Sequence, residues 1–99
     1  MVAVIDELRV EDNPAKHRYE ARAGERLLGF VTYRAEPDRI TLIHTEVEPE
    51  LEHRGVATQL VAATLDDIRA RGLAVVPVCP FVRAFIRRHP EYAGLVGAR

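Results

Sequence analysis

His44 and Glu46 stand two apart in the run Arg-Ile-Thr-Leu-Ile-His-Thr-Glu-Val. In a strand that spacing turns both side chains to one face, together with Ile40 and Leu42. Histidine changes charge near neutrality, so it suits proton abstraction, and a carboxylate beside it can act as a base directly or through water. A second group is Cys79, which directly precedes Pro80, a residue suited to the first position of a helix. A thiol at a helix N-terminus ionises more readily, which favours a nucleophile in covalent catalysis. The third is the turn Arg54-Gly55-Val56-Ala57-Thr58, which opens into an amphipathic helix. The first turn of a helix holds unpartnered N–H groups and a partial positive charge, and a glycine there lets a ligand approach the backbone. A phosphate or pyrophosphate is the natural guest.

Each group also has a plainer reading. His44 is then a hydrogen-bonded histidine on a half-buried strand, and Glu46 one solvated member of the series Glu46, Glu48, Glu50 and Glu52. Cys79 is a small apolar packer, and the turn at Gly55 is an ordinary loop-to-helix junction.

The elements that must position these residues follow from periodicity and turn chemistry. A first strand falls within residues 2–11 and ends at the turn Asp12-Asn13-Pro14. Residues 17–22 alternate like a half-exposed strand, Ala23-Gly24-Glu25 is a hairpin turn, and residues 27–33 are rich in aromatic and β-branched types. After Glu36-Pro37-Asp38, residues 39–47 complete an antiparallel meander. Leu60, Val61, Thr64, Leu65 and Ile68 then recur at a spacing of three and four, giving a helix over 57–71 that Gly72 caps. Residues 73–78 form a short apolar strand, and Pro77 makes it end early or lie at an edge. Strand, helix and strand of these lengths make a right-handed βαβ crossover with parallel strands. A second helix over 80–88 turns Phe81, Val82, Phe85 and Ile86 inward, Pro90 stops it, and the tail 93–99 is expected to be flexible. Ligands of α/β units bind at the carboxyl ends of parallel strands, where the end of 39–47, Gly55 and Cys79 converge.

Composition narrows the class. The 99 residues make one domain, with 47% apolar and 29% charged residues, as in a globular protein. Fourteen basic against fifteen acidic residues give a net charge of −1, which calls for neither nucleic acid nor an anionic membrane. No apolar run is long enough to span a bilayer, and the acidic N-terminus is unlike a signal peptide. The single cysteine rules out an internal disulfide and a multi-cysteine metal site, and no zinc spacing occurs. A cytoplasmic setting is the default that follows. Monomer and dimer both remain open.

Three blocks, His44-Thr45-Glu46-Val47, Arg54-Gly55-Val56-Ala57 and Pro77-Val78-Cys79-Pro80-Phe81 followed by His89-Pro90-Glu91-Tyr92, resemble the small single-domain branch of the GNAT acetyltransferase superfamily. The resemblance runs from about Tyr19 to Tyr92. It implies a minimal α/β (α+β) GNAT fold, without the N-terminal helices and final strands of full-length relatives. It also implies acetyl-CoA as cofactor and transfer of its acetyl group to an amine. The family's pyrophosphate loop maps onto Glu52-His53-Arg54-Gly55-Val56-Ala57, where Gly55 and Ala57 match and Glu52 departs from the usual Gln or Arg. The implied cofactor-binding set is Val47, Arg54, Gly55, Val56, Ala57, Thr58, Cys79 and Phe81. The implied catalytic set is Cys79, His44 and Glu46, with Tyr92 as a candidate proton donor to the departing thiolate or, alternatively, an aromatic packed under the second helix. Arg83, Arg87 and Arg88 are further candidates for phosphate contacts. A chain this short also fits a different class, a non-catalytic acyl-CoA-binding or sensing module.

Overall fold

The computed structural model describes residues 7–97. The meander and crossover expected from the sequence are both present in a single five-stranded sheet whose spatial order is the chain order. Strands β1 (Leu8–Asn13), β2 (Arg18–Ala23), β3 (Arg26–Glu36) and β4 (Arg39–Val47) pair antiparallel, and β5 (Ala74–Pro77) joins β4 in parallel. Of the first strand expected within residues 2–11, Leu8 onward is strand; residues 2–6 of that expectation lie outside the described residues.

Helix α1 (Val56–Ala70) makes the crossover and lays Val56, Leu60, Val61, Thr64, Leu65 and Ile68 onto one face of the sheet. It meets Tyr19, Ala21, Val31, Ile40, Leu42 and Val75, and these side chains form one buried core. Its end matches the expectation for Gly72. That glycine takes φ +72°, and Leu73 N donates to Ile68 O at 3.1 Å while Gly72 N donates to Arg69 O at 2.9 Å. Two otherwise orphaned carbonyls are satisfied in this way.

Helix α2 (Pro80–Arg88) starts directly at the end of β5 and buries Val82, Phe85 and Ile86. Phe81 departs from the expected inward position and is 39% exposed. Of the tail expected to be flexible, residues 98–99 lie outside the described residues. Residues Pro90–Leu95 form a 3-10 turn with Tyr92 buried, Val96 bridges Val75, and Gly97 N donates to Val75 O at 2.9 Å. Leu95 packs against the core, so residues 93–97 dock along the outer edge of β5. No described helix is long and apolar enough to cross a membrane.

Candidate active site

The ladder between β4 and β5 runs from the pair Arg39–Ala74 to the pair Leu42–Pro77 and stops there. The amides of Val78 and Cys79 both donate to Leu42 O, at 3.1 and 2.9 Å. Beyond that shared carbonyl β5 turns away into α2, while β4 continues to Val47. Glu48 N donates to Leu28 O at 3.0 Å. By the alternation of an antiparallel ladder, Glu46 and His44 also bond toward β3. The backbone groups of Thr45 and Val47 therefore face the opening between the two parallel strands.

A cleft of about 400 Å³ lies beside this opening, lined by Thr45, Val47, Leu51, Glu52, His53, Gly55, Ala57, Thr58 and Phe81. Gly55 precedes α1 at φ +84°, a left-handed conformation that an L side chain adopts only with strain. The first intrahelical bond runs from Gln59 N to Gly55 O at 3.0 Å, so the amides of Val56, Ala57 and Thr58 lie before it. No acidic residue occupies the first turn and no side chain caps it. A Cβ built on Gly55 would meet only Gln59 Nε2, at 4.0 Å, so the space above this turn is open to a ligand. These are the features of an anion cradle. Glu52 is an acidic member of the lining, with the exposed Arg54 two residues on.

The sequence-derived facing of His44 and Glu46 needs correction. They do not share a face with Ile40 and Leu42. Thr32 pairs with His44 and Tyr33 with Leu42, which leaves Ile43 as the extra residue of a β-bulge. One inserted residue reverses the alternation downstream. Ile40 and Leu42 point to α1, as do Thr45 and Val47, whereas His44 and Glu46 point away and their side chains are 63% and 62% exposed. The two remain partners, with His44 Nε2 at 3.4 Å from Glu46 Oε1.

The same slip brings Thr45 to the inner face, where its Oγ1 lies 3.2 Å from Cys79 Sγ. Cys79 is only 3% exposed and stands at the N-terminal boundary of α2. Sequence reasoning missed Thr45, because its facing depends on the bulge, which only the strand register reveals. Of the sequence-derived binding residues, Val47, Gly55, Ala57, Thr58 and Phe81 line the cleft, Val56 contributes a first-turn amide with its side chain buried, and Arg54 flanks the lining. Tyr92 lies elsewhere. Its hydroxyl donates to Asp66 Oδ1 at 2.8 Å, about 15 Å along α1 from Val56, and its ring contacts Phe85. Burial and then the Asp66 carboxylate push its pKa up. Arg83 is tied to the carbonyls of Val78 and Pro77. Among the described residues, no group of three or more His, Cys, Asp or Glu side chains could hold a metal ion.

A meander, one parallel crossover, strands that part midway and a row of open amides at the crossover helix define a small α+β domain with a candidate anion site. The profile of the family described as GCN5-related N-acetyl-transferase matches residues 18–95, and the chain belongs to that family. Solved structures carry the same fold. A GCN5-like protein from Staphylococcus aureus superimposes with a TM-score of 0.69 at 21% identity, over 94% of this chain and 91% of that one. The ribosomal-protein-alanine N-acetyltransferase of Brucella melitensis biovar Abortus 2308 gives 0.57 at 21% identity, over 83% and 62%. Ard1 from Thermoplasma volcanium gives 0.56 at 17% identity, over 79% and 55%. The chain thus spans under two thirds of the length of the latter two. No curated protein sequence matches it.

Proposed function

We propose that this protein binds acetyl-CoA in the cleft and transfers its acetyl group to an amine. The observation that carries this reading is the row of amides before Gln59, at a left-handed glycine, beside the opening between β4 and β5. That cradle suits a pyrophosphate, and the outward backbone groups of Thr45 and Val47 suit a pantetheine arm laid along the unpaired edge of β4. Thr58 and Arg54 add donors at the mouth. The cofactor supplies the acyl group as a thioester: a C–N bond forms as the C–S bond breaks, the amine loses a proton and the departing sulfur gains one.

In this reading the two faces of β4 divide the work. Thr45, on the inner face, contacts the thioester end, and the buried Cys79 lies behind its hydroxyl. His44, on the outer face, accepts the proton of an amine that approaches through the opening, and Glu46 orients its imidazole and stabilises the charge it gains. The buried thiol and its contact with Thr45 favour direct transfer over an acetyl-cysteine intermediate. The single unpaired thiol fits a reducing, cytoplasmic setting.

Calorimetric titration with CoA, followed by a screen of amines with detection of released free thiol, tests the reading. Binding with turnover of at least one amine is expected. Binding without turnover of any amine would leave a non-catalytic acyl-CoA-binding module, and no binding near millimolar CoA would remove the site altogether. Intact mass after mixing with acetyl-CoA, with Cys79→Ala as control, should show no acetyl adduct at Cys79.

A further inference from the structure

Ile43 and Val78 are two of the four exposed large hydrophobic residues among those described, at 41% and 50% exposure. They are also neighbours in space, because Val78 N donates to Leu42 O at 3.1 Å, one residue before Ile43. Cys79 is buried on the inner face beside Thr45, and Val78, the residue before it and past the end of β5, is exposed and turned away from α1. The bulge does the same for Ile43: Leu42 points to α1, and both Ile43 and His44 point away from it. The two aliphatic side chains therefore stand on either side of the point where β4 and β5 part, next to His44 and on its face. Ordinary bulge and strand chemistry does not require an isoleucine and a valine in water at this place.

Resting on the acetyl-transfer reading above, we infer that Ile43 and Val78 form an apolar lip that selects the acceptor. The occupant is a small primary amine whose nitrogen bears an unbranched hydrocarbon chain. The nitrogen meets His44, which Glu46 orients, and the carbons next to it lie between Ile43 and Val78. Charge favours this occupant through Glu46 alone: an ammonium group arriving at the face meets its carboxylate. Glu48, past the end of β4, is paired with Arg26, and the Arg83 guanidinium is held on the Val78 carbonyl. Size favours it as well. Two half-exposed aliphatic side chains offer far less than the roughly 800 Å² per partner that a stable protein interface covers. A few methylenes fill such a lip.

The test compares ethylamine with hexylamine, which present nearly the same nitrogen and differ in chain length. Wild-type protein is expected to show kcat/KM at least about tenfold higher for hexylamine. In the double variant Ile43→Ser, Val78→Ser that preference should fall below about threefold, with CoA affinity by calorimetry unchanged. Val78→Thr, nearly isosteric with the native residue, should lower it part of the way and guards against misfolding of the double variant. Equal use of the two amines by wild type, or a preference that survives in the variants, overturns the lip while acetyl transfer itself stands. Absence of turnover with every amine, CoA binding being intact, overturns both. A wild-type dimer in sedimentation that the double variant converts to monomer would show that a second copy occupies the patch, and would also overturn it.

Discussion

Thr45 is the residue on which the two sides of the proposed reaction meet. Its backbone faces the opening between the parallel strands, its hydroxyl touches the Cys79 sulfur at 3.2 Å, and its side chain lines the cleft. Replacing that hydroxyl by a methyl group keeps the volume and removes one hydrogen-bonding partner of the thiol. Thr45→Val should lower kcat about fivefold to tenfold, the equivalent of one ordinary hydrogen bond, while Thr45→Ser stays within about twofold. CoA affinity, measured separately by calorimetry, should hardly change in either. His44 carries a different expectation because it is proposed to take the proton. His44→Gln should lower kcat roughly 10²-fold with CoA affinity intact. Glu46→Gln should cost roughly tenfold, since it acts through the imidazole 3.4 Å away and not on the amine itself. A steady-state assay of both variants over the same amine decides this; equal losses would argue that Glu46 is the base.

At the scale of elements, the crossover helix is the part that makes a cradle out of backbone. Gly55→Ala should have two separable effects. The left-handed φ of +84° costs about 1 kcal/mol of stability once a Cβ is present, and the Cβ also projects into the open space above the amides. Gly24 is a suitable control, with φ +59° and nothing within 4 Å of a built Cβ. Gly24→Ala should lower the melting temperature by a similar amount and leave CoA affinity unchanged, whereas Gly55→Ala should also weaken it about tenfold. This helix and its start were legible in the sequence, because a stripe at Leu60, Val61, Thr64, Leu65 and Ile68 and a closing Gly72 are local signals. The strand β4 was legible in extent but not in facing. Its bulge at Ile43 has no compositional mark, as isoleucine is a good strand former on either side of it, and one uncounted residue was enough to put His44 and Glu46 on the wrong face. The docking of residues 93–97 was hidden for another reason. Their small residues lack periodicity, and their order comes from long-range contacts of Tyr92, Leu95 and Gly97 with α1, the core and Val75.

At the scale of the molecule, the sheet is covered unequally. Tyr19, Ala21, Val31 and Leu42 face α1 and the apolar core, but the β2 positions turned the other way, Arg18, Glu20 and Arg22, carry charge. At their centre is Glu20, only 2% exposed, which accepts hydrogen bonds from Arg18 Nε at 2.8 Å, Arg22 Nε at 3.0 Å and Asn13 Nδ2 at 3.1 Å. Arg18 also lies over the Phe30 ring at 4.4 Å, so one ionic cluster ties β1, β2 and β3 together. Burial alone would push the Glu20 carboxyl up, but the donors from Arg18, Arg22 and Asn13 outweigh it and hold the carboxyl below the usual range. The sign of the consequence is fixed by linkage. A carboxyl depressed in the folded state contributes stability that is present above its unfolded value, about 4.3, and is lost as pH falls through the folded value. Glu20→Gln should therefore destabilise the protein by about 2 kcal/mol at pH 7, less than for a fully buried pair because both arginines are partly solvated. The gap between variant and wild type should then narrow as the pH drops below 4, since acid protonates the native carboxylate. Urea midpoints measured from pH 7 down to pH 2.5 would register this convergence, and a gap of constant size would mean that Glu20 acts through shape and not through charge.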